Sequence, residues 1–432
     1  MSLTDRRGLL AGLGAMALLP ATFRAAAAQA SQSAALVAKA ETIALRPGRN
    51  GTWGWMLRGA TSILRYKRGN ELQITLQNDL PAAIALCVRG VDGAPILEPL
   101  LGVPPVVAGT IVRVPLALRQ AGTQLCDLWL RSDDPAPPIQ PLPLIVEEDQ
   151  AGSVDRDEVV LVEDWRVATD GTALSPGIDP KDAAAVYTVN GQLVPDVSIR
   201  PHERLRLRII NGCQRSVVAT KIEAYEVRVI ALDGQPAEPF SARNGALVLA
   251  PGSRADVLID GTASPGSVTG ILLHDGMEPR PIARLVTSTE PPVRPAPLPP
   301  AAPLPSNGLP EKLDLKTALR VDVPLAGPEW VTSASFTASS QPSFRTKTGR
   351  TVVLALTNRT ASATTFHLHG HHFRLLDRLD DGWKPFWLDT LAVEPGQTQR
   401  IAFAAEHPGR YLIESTATDW AAPRLLRWYD VA

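Results

Sequence analysis

The residues of this 432-residue chain best suited to chemistry lie in one run, Phe366-His-Leu-His-Gly-His-His-Phe. His367 and His369 are spaced i, i+2, so in an extended strand both imidazoles leave the same face. Imidazole pairs of this kind can ligate a transition metal. A working site needs three or four ligands, however, and the chain holds only seven His, three Cys and four Met. His371 and His372 read as hydrogen-bonding or packing groups, His407 falls in a turn, and His202 and His274 lack ligand spacing. A structural role for His367 and His369 therefore competes with ligation. The cysteines form no CxxC pair and cannot build a disulfide framework; Cys213 reads as a buried free thiol. There is no Gly-rich phosphate loop and no Gly-x-Ser-x-Gly elbow, and nothing points to a Ser/His/Asp triad.

The elements that must position these residues repeat. Residues 67–78, 200–211 and 347–358 each read as a polar turn, an alternating strand and a closing Asn. In the second copy Leu205, Leu207 and Ile209 alternate with Arg204, Arg206 and Arg208, the period-2 pattern of a half-buried strand. The copies begin 133 and 147 residues apart, a domain-sized period. Turns at 108–110, 251–253 and 395–397 each lead into a further strand, and no segment sustains a 3.6-residue apolar period. Three similar β-sandwich domains follow. Between the second and third runs a Pro-rich stretch, residues 291–310, that suits a stiff extended connector.

Composition narrows the function. Lys+Arg 43 against Asp+Glu 44 gives a net charge of -1, which offers no basic field for nucleic acid or an anionic membrane surface. A hydrophobic content of 45% supports packed cores, and 39 Pro with 32 Gly suits short strands joined by turns. At the N-terminus, Asp5-Arg6-Arg7-Gly8-Leu9-Leu10 opens an apolar run over residues 8–19, followed by Ala28-Gln29-Ala30, a small-x-small cleavage site. The run is too short to span a bilayer. The adjacent arginines are similar to a twin-arginine signal, which implies export in the folded state to a periplasm. No membrane span is expected once the signal is removed.

In order along the chain, Val189-Asn-Gly-Gln-Leu-Val-Pro, Val229-Ile-Ala-Leu-Asp-Gly-Gln, Leu249-Ala-Pro-Gly-Ser-Arg-Ala-Asp-Val-Leu, the 366–373 run, Trp387-Leu-Asp-Thr-Leu-Ala-Val-Glu-Pro-Gly and His407-Pro-Gly-Arg-Tyr resemble the multicopper oxidases. The resemblance implies an all-β fold of three cupredoxin-like Greek-key β-sandwich domains. Residues 1–30 would be the signal, 31–150, 151–290 and 313–432 the domains, and 291–312 the linker. In that family four His-x-His pairs hold a trinuclear copper cluster between the first and third domains. A Cys between the last pair, with two further His, binds a type 1 copper.

By the same resemblance this chain departs at most ligand positions. The cluster positions read Cys87 and Arg89, Asp127 and Trp129, and Glu414 and Thr416; only His367 and His369 remain. The type 1 positions read Thr364, Ser415 and Trp420. A hydroxyl at 415 cannot supply the thiolate that type 1 copper requires, so laccase-type activity is not expected. Two His with Asp127 or Glu414 would form a two-His, one-carboxylate set for copper or another transition metal. Arg89 in the same cavity argues instead for a carboxylate–Arg pair and no cofactor. Cys87 and Cys126 fall on adjacent strands by this analogy, but alternation turns them to opposite faces, against a disulfide. The resemblance extends to copper-free, cell-division members of the family. It implies a non-enzymatic periplasmic structural or protein-interaction factor with periplasmic protein partners, the alternative being an oxidoreductase with a reduced metal site around His367 and His369.

Overall fold

The computed structural model describes residues 31–45, 51–149, 152–275, 277–377 and 382–432. The expected export signal, residues 1–30, lies outside them. Six sheets, two in each successive third of the chain, account for the strands, and two 3-10 turns are the only helical segments among the described residues. The fold is all-β, as the alternation and turn chemistry predict.

The repeated segments form the same structural unit three times. Strands Glu71–Asn78, Arg204–Asn211 and Thr351–Thr357 each run parallel to the strand that opens their domain and antiparallel to a later one. The closing Asn is fully buried in each copy. Its amide donates to two backbone carbonyls: Ala82 and Val106 from Asn78, Ser216 and Leu249 from Asn211, Ser362 and Val393 from Asn358. Its carbonyl oxygen accepts the N–H of residue i+2, from Leu80, Cys213 and Thr360. The side chain thus completes the hydrogen bonding of a bend that would otherwise bury unpaired backbone groups. Apolar positions between each pair of sheets make the three main cores, around Leu72 and Ile74, Leu205 and Ile209, and Leu354 and Phe366.

One expectation fails. The alternation in Arg204–Asn211 predicts an exposed arginine face, yet all eight residues of that strand are buried. The arginines are covered because neighbouring segments supply carboxylates and carbonyls. Arg206 bonds Glu148 and Asp256, Arg208 bonds Asp157 and Asp256, and Arg204 bonds Asp260 and the Leu298 and Pro299 carbonyls. The Pro-rich stretch carries those two carbonyls, and Asn307 near its end bonds the Ala121 backbone and Gln235. The connector is therefore strapped to the first two domains.

Candidate functional site

The strand Thr364–Leu368 pairs with Gly409–Ala417 so that His367 stands opposite Glu414. In the first domain Ile84–Arg89 pairs with Gly122–Leu130, setting Cys87 opposite Asp127 and Ala85 opposite Trp129. Opposite residues of an antiparallel pair share a face, so Cys87, Arg89, Asp127 and Trp129 line one wall and His367 and Glu414 the other. His369 follows the end of its strand. After it Gly370 turns at φ +73°, where a Cβ would lie 2.1 Å from the Tyr411 ring, so only glycine fits. An apolar patch of Ala85, Cys87, Trp129, Leu412, Leu426 and Trp428 seals the two walls together.

Within this seam the charges pair closely. One Arg89 guanidinium nitrogen lies 3.0 Å from each Glu414 carboxylate oxygen and 3.7 Å from Asp127. Arg424 approaches Asp127 at 3.4 Å and Glu414 at 3.8 Å, and lies over the Trp129 ring. His369 has Glu98 2.8 Å from Nδ1 and Glu414 2.8 Å from Nε2, with the Trp129 ring edge-on beside it. Burial opposes its charge, but the flanking carboxylates raise His369 to about 9. Both ring nitrogens therefore carry protons at neutral pH. Burial alone would raise the Glu414 carboxyl, yet Arg89 and His369 hold it well below the usual range. Arg89, His369 and Arg424 thus balance Glu98, Asp127 and Glu414.

His367 behaves differently. Its Nδ1–H faces the Asp389 carbonyl at 3.0 Å and Thr390 Oγ1 at 2.8 Å. Burial, with the nearby Arg89 charge, lowers it to about 4, so it is neutral. One ligand atom from each of Cys87, His369 and Glu414 lies within 4.8 Å of the others, close enough to hold a metal ion. That set differs from the expected pair plus carboxylate: among the described residues His367 and Asp127 stand outside it. Burial raises the Cys87 thiol well above its usual value. All three cysteines are free and buried, so the expected absence of a Cys87–Cys126 bridge agrees with the structure.

The remaining expected positions are engaged elsewhere. The Ser415 hydroxyl donates to the Leu325 carbonyl, Trp420 donates to the Ser175 carbonyl at 3.0 Å, and Thr364 pairs with the Thr360 hydroxyl at 3.2 Å. Thr416 lines a cavity of about 30 Å³ with Arg89, Asp127, His367, Glu414 and Arg424. A second cavity, of about 20 Å³, lies between His367, His369, Glu98 and His372. Each has room for about one water, far below the ~300 Å³ of a small-molecule pocket. His371 and His372 do hydrogen-bond: His371 Nδ1–H to the Tyr429 hydroxyl at 2.8 Å, and His372 to Asp92 at 2.8 Å and to the Asp233 carbonyl at 2.9 Å.

The residues that sequence reasoning missed are mostly carboxylates. Glu98 is the only charged residue between Asp92 and Arg113, and a lone charge in so apolar a loop was the available signal. A second cluster has no such signal. Arg254, with no exposed side-chain surface, holds Asp389 through two bonds of 2.9 and 2.8 Å and donates to the Asp233 carbonyl. It joins the second domain to the third beside Asp92 and His372.

The comparisons agree with this architecture. Residues 157–267 and 310–432 each match a domain family described as multicopper oxidase. The chain belongs to the multicopper oxidase family. Multicopper oxidase MmcO of Mycobacterium tuberculosis is 25% identical over 325 residues, 63% of this chain and 62% of that protein. Copper resistance protein A of Pseudomonas syringae pv. tomato is 25% identical over 262 residues, 48% of this chain and 42% of that one. The match thus spans less than two thirds of either relative's length. Among solved structures, a multicopper oxidase from Pseudomonas thermotolerans superposes with a TM-score of 0.79 at 23% identity, covering 94% of this chain and all of the other. Lac15 from a marine microbial metagenome gives 0.74 at 25% identity, covering 93% and 100%.

Proposed function

We propose that this chain is a multicopper oxidase family member in which a protein ion-pair cluster stands where the family holds copper. It acts as a non-enzymatic, exported structural or protein-interaction factor of the cell envelope. His369 carries this reading. With both nitrogens donating to carboxylates it offers no lone pair to a metal, and Arg89 supplies fixed positive charge beside it. Ser415 offers a hydroxyl already donated to a carbonyl, which does not fit a type 1 centre. The donor set does not fit a four-copper oxidase, and the site cavities leave no room for a substrate. The Arg6-Arg7 signal supports folded export, and no helix among the described residues is long and apolar enough to cross a membrane. The partners would then be periplasmic proteins, with cell-division factors one class to test.

The test is metal analysis of the mature protein after copper loading and dialysis. The expected result is copper well below one ion per chain, no intense blue absorption and no aerobic oxidation of a phenolic dye. Several coppers per chain with a blue band would overturn the reading. A single-metal alternative is favoured by the proximity of Cys87, His369 and Glu414, a set that would suit copper(I) or zinc if Cys87 gave up its thiol proton to the metal. It predicts one ion per chain that is lost in Cys87→Ser.

A further inference from the structure

The largest polar anomaly outside the ion-pair cluster is Arg215. It is 5% exposed, and its guanidinium bonds only backbone carbonyls: Ala422 through Nε at 3.1 Å and Nη2 at 2.9 Å, and Gln214 through Nη1 at 2.7 Å. Among the described residues no carboxylate oxygen lies within ion-pair distance of it, and the rest of its five N–H donors have no protein acceptor. Burial, together with the charge of nearby Arg424, lowers its pKa to about 10, against the weaker opposing pull of Asp164, Asp127 and Glu414, none of which is within ion-pair distance. A buried charge normally has a partner. Arg215 has carboxylates only at longer range, and an opening beside it.

That opening is a pocket of about 370 Å³ where the three domains meet, lined by Arg215, Arg424 and Trp129 together with apolar Leu128, Ile139 and Pro176. Trp129 is 2% exposed, and its indole N–H has no acceptor. The pocket also has acidic lining, Asp133 and Asp134, but both are exposed and already accept hydroxyls from Thr332 and Ser132. Solvent screens those rim charges, whereas Arg215 is not screened. The volume falls in the range of small-molecule sites.

We infer that this three-domain pocket binds a small organic carboxylate with an apolar body. The carboxylate sits on Arg215, the Trp129 N–H supplies a further donor, and the apolar walls enclose the body. An uncharged ligand would leave Arg215 with no carboxylate in direct contact, and a bare inorganic anion would leave the walls unfilled. The inference goes beyond the copper-free reading and does not rest on it: Trp129 and Arg424 border both the seam and the pocket, but no residue of the Cys87, His369 and Glu414 set lines the pocket.

The experiment is calorimetric titration of the mature chain with benzoate, benzamide and inorganic phosphate, in chelator-treated buffer so that metal content plays no part. Benzoate should bind, and benzamide and phosphate should bind at least about tenfold more weakly, the worth of one lost charge-assisted contact. Arg215→Gln should abolish benzoate binding. Trp129→Phe, which keeps a ring but removes the N–H donor, should weaken it several-fold. Should Arg215→Gln fold poorly, the benzoate–benzamide comparison on the parent chain still decides. Absence of benzoate binding at tens of millimolar, equal affinity for benzamide, or full benzoate affinity in folded Arg215→Gln would each overturn the inference.

Discussion

Removing Arg89 tests whether the seam between the first and third domains is held by charge. Its side chain is 6% exposed, Glu414 is 5% and Asp127 is 12%, so water cannot take over its role without opening the interface. Arg89→Ala leaves His369 and Arg424 against three carboxylates, one uncompensated negative charge in a desolvated seam. Stranding one partner of a buried pair costs about 3–5 kcal/mol. Because Glu414 keeps His369 at 2.8 Å and Arg424 at 3.8 Å, the lower end applies, about 3 kcal/mol or a ~100-fold fall in the folded-to-unfolded ratio.

Urea unfolding followed by both tryptophan fluorescence and circular dichroism is the assay, since two probes expose any domain that unfolds separately. The pH dependence supplies a second signature. Glu414 is depressed in the folded parent, so its contribution is present above its unfolded pKa and is lost as pH falls through the folded value. Without Arg89 that carboxyl protonates more readily, and the gap between variant and parent should narrow below the ordinary Glu pKa of ~4.3. Replacing both partners, Arg89→Met with Glu414→Leu, should recover most of the loss, because apolar groups of similar volume can replace a buried pair at little cost. Parent-like unfolding of Arg89→Ala, or a gap unchanged by acid, would refute the charge-balance argument.

Three further outcomes follow from separate parts of the chain. Burial opposes charge on His372, but Asp92 lifts it to about 9, so its stabilisation is complete below its unfolded pKa and is lost as pH rises through 9; urea midpoints should fall over that window in the parent and less so in Asp92→Asn. Asn358→Ala removes four hydrogen bonds of a buried side chain at a domain bend and should cost about 2–3 kcal/mol, read as a lower melting temperature of the third domain. Replacing Arg6 and Arg7 together by Lys keeps the charge but removes the twin-arginine pair, and fractionation should then find the chain retained in the cytoplasm.

The fold was legible because its signals are local. The Asn that closes each repeated strand is visible three times in the sequence and makes the same three hydrogen bonds each time. The site was legible only where strand pairing sets it. His367 opposite Glu414, Cys87 opposite Asp127 and Arg424 opposite Thr416 follow from register, whereas Glu98 enters from a loop whose path no period announces. Arg204, Arg206 and Arg208 show the limit most clearly. Period-2 alternation reports that two faces differ in polarity, not that the polar one meets water. Here it meets Glu148, Asp157, Asp256 and Asp260, and the strand is buried on both sides.

The same charges explain how a three-domain arrangement persists with so few histidines. A shared metal cluster would tie the first domain to the third through ligands contributed by both. In this chain Arg89 and Asp127 from the first domain face Glu414 and Arg424 from the third, and Glu98 reaches across to His369 and to the Leu412 backbone N–H. Arg254 ties the second domain to Asp389 of the third, and Arg206 ties it to Glu148 at the end of the first. Buried pairs of this kind add little net stability over apolar packing, and their strength is in penalising misaligned alternatives. Each tie fails if the domains shift by a few ångström, because a carboxylate or guanidinium is then left dry and unpaired. The network therefore bridges the same three domains that supply the walls of the Arg215 pocket.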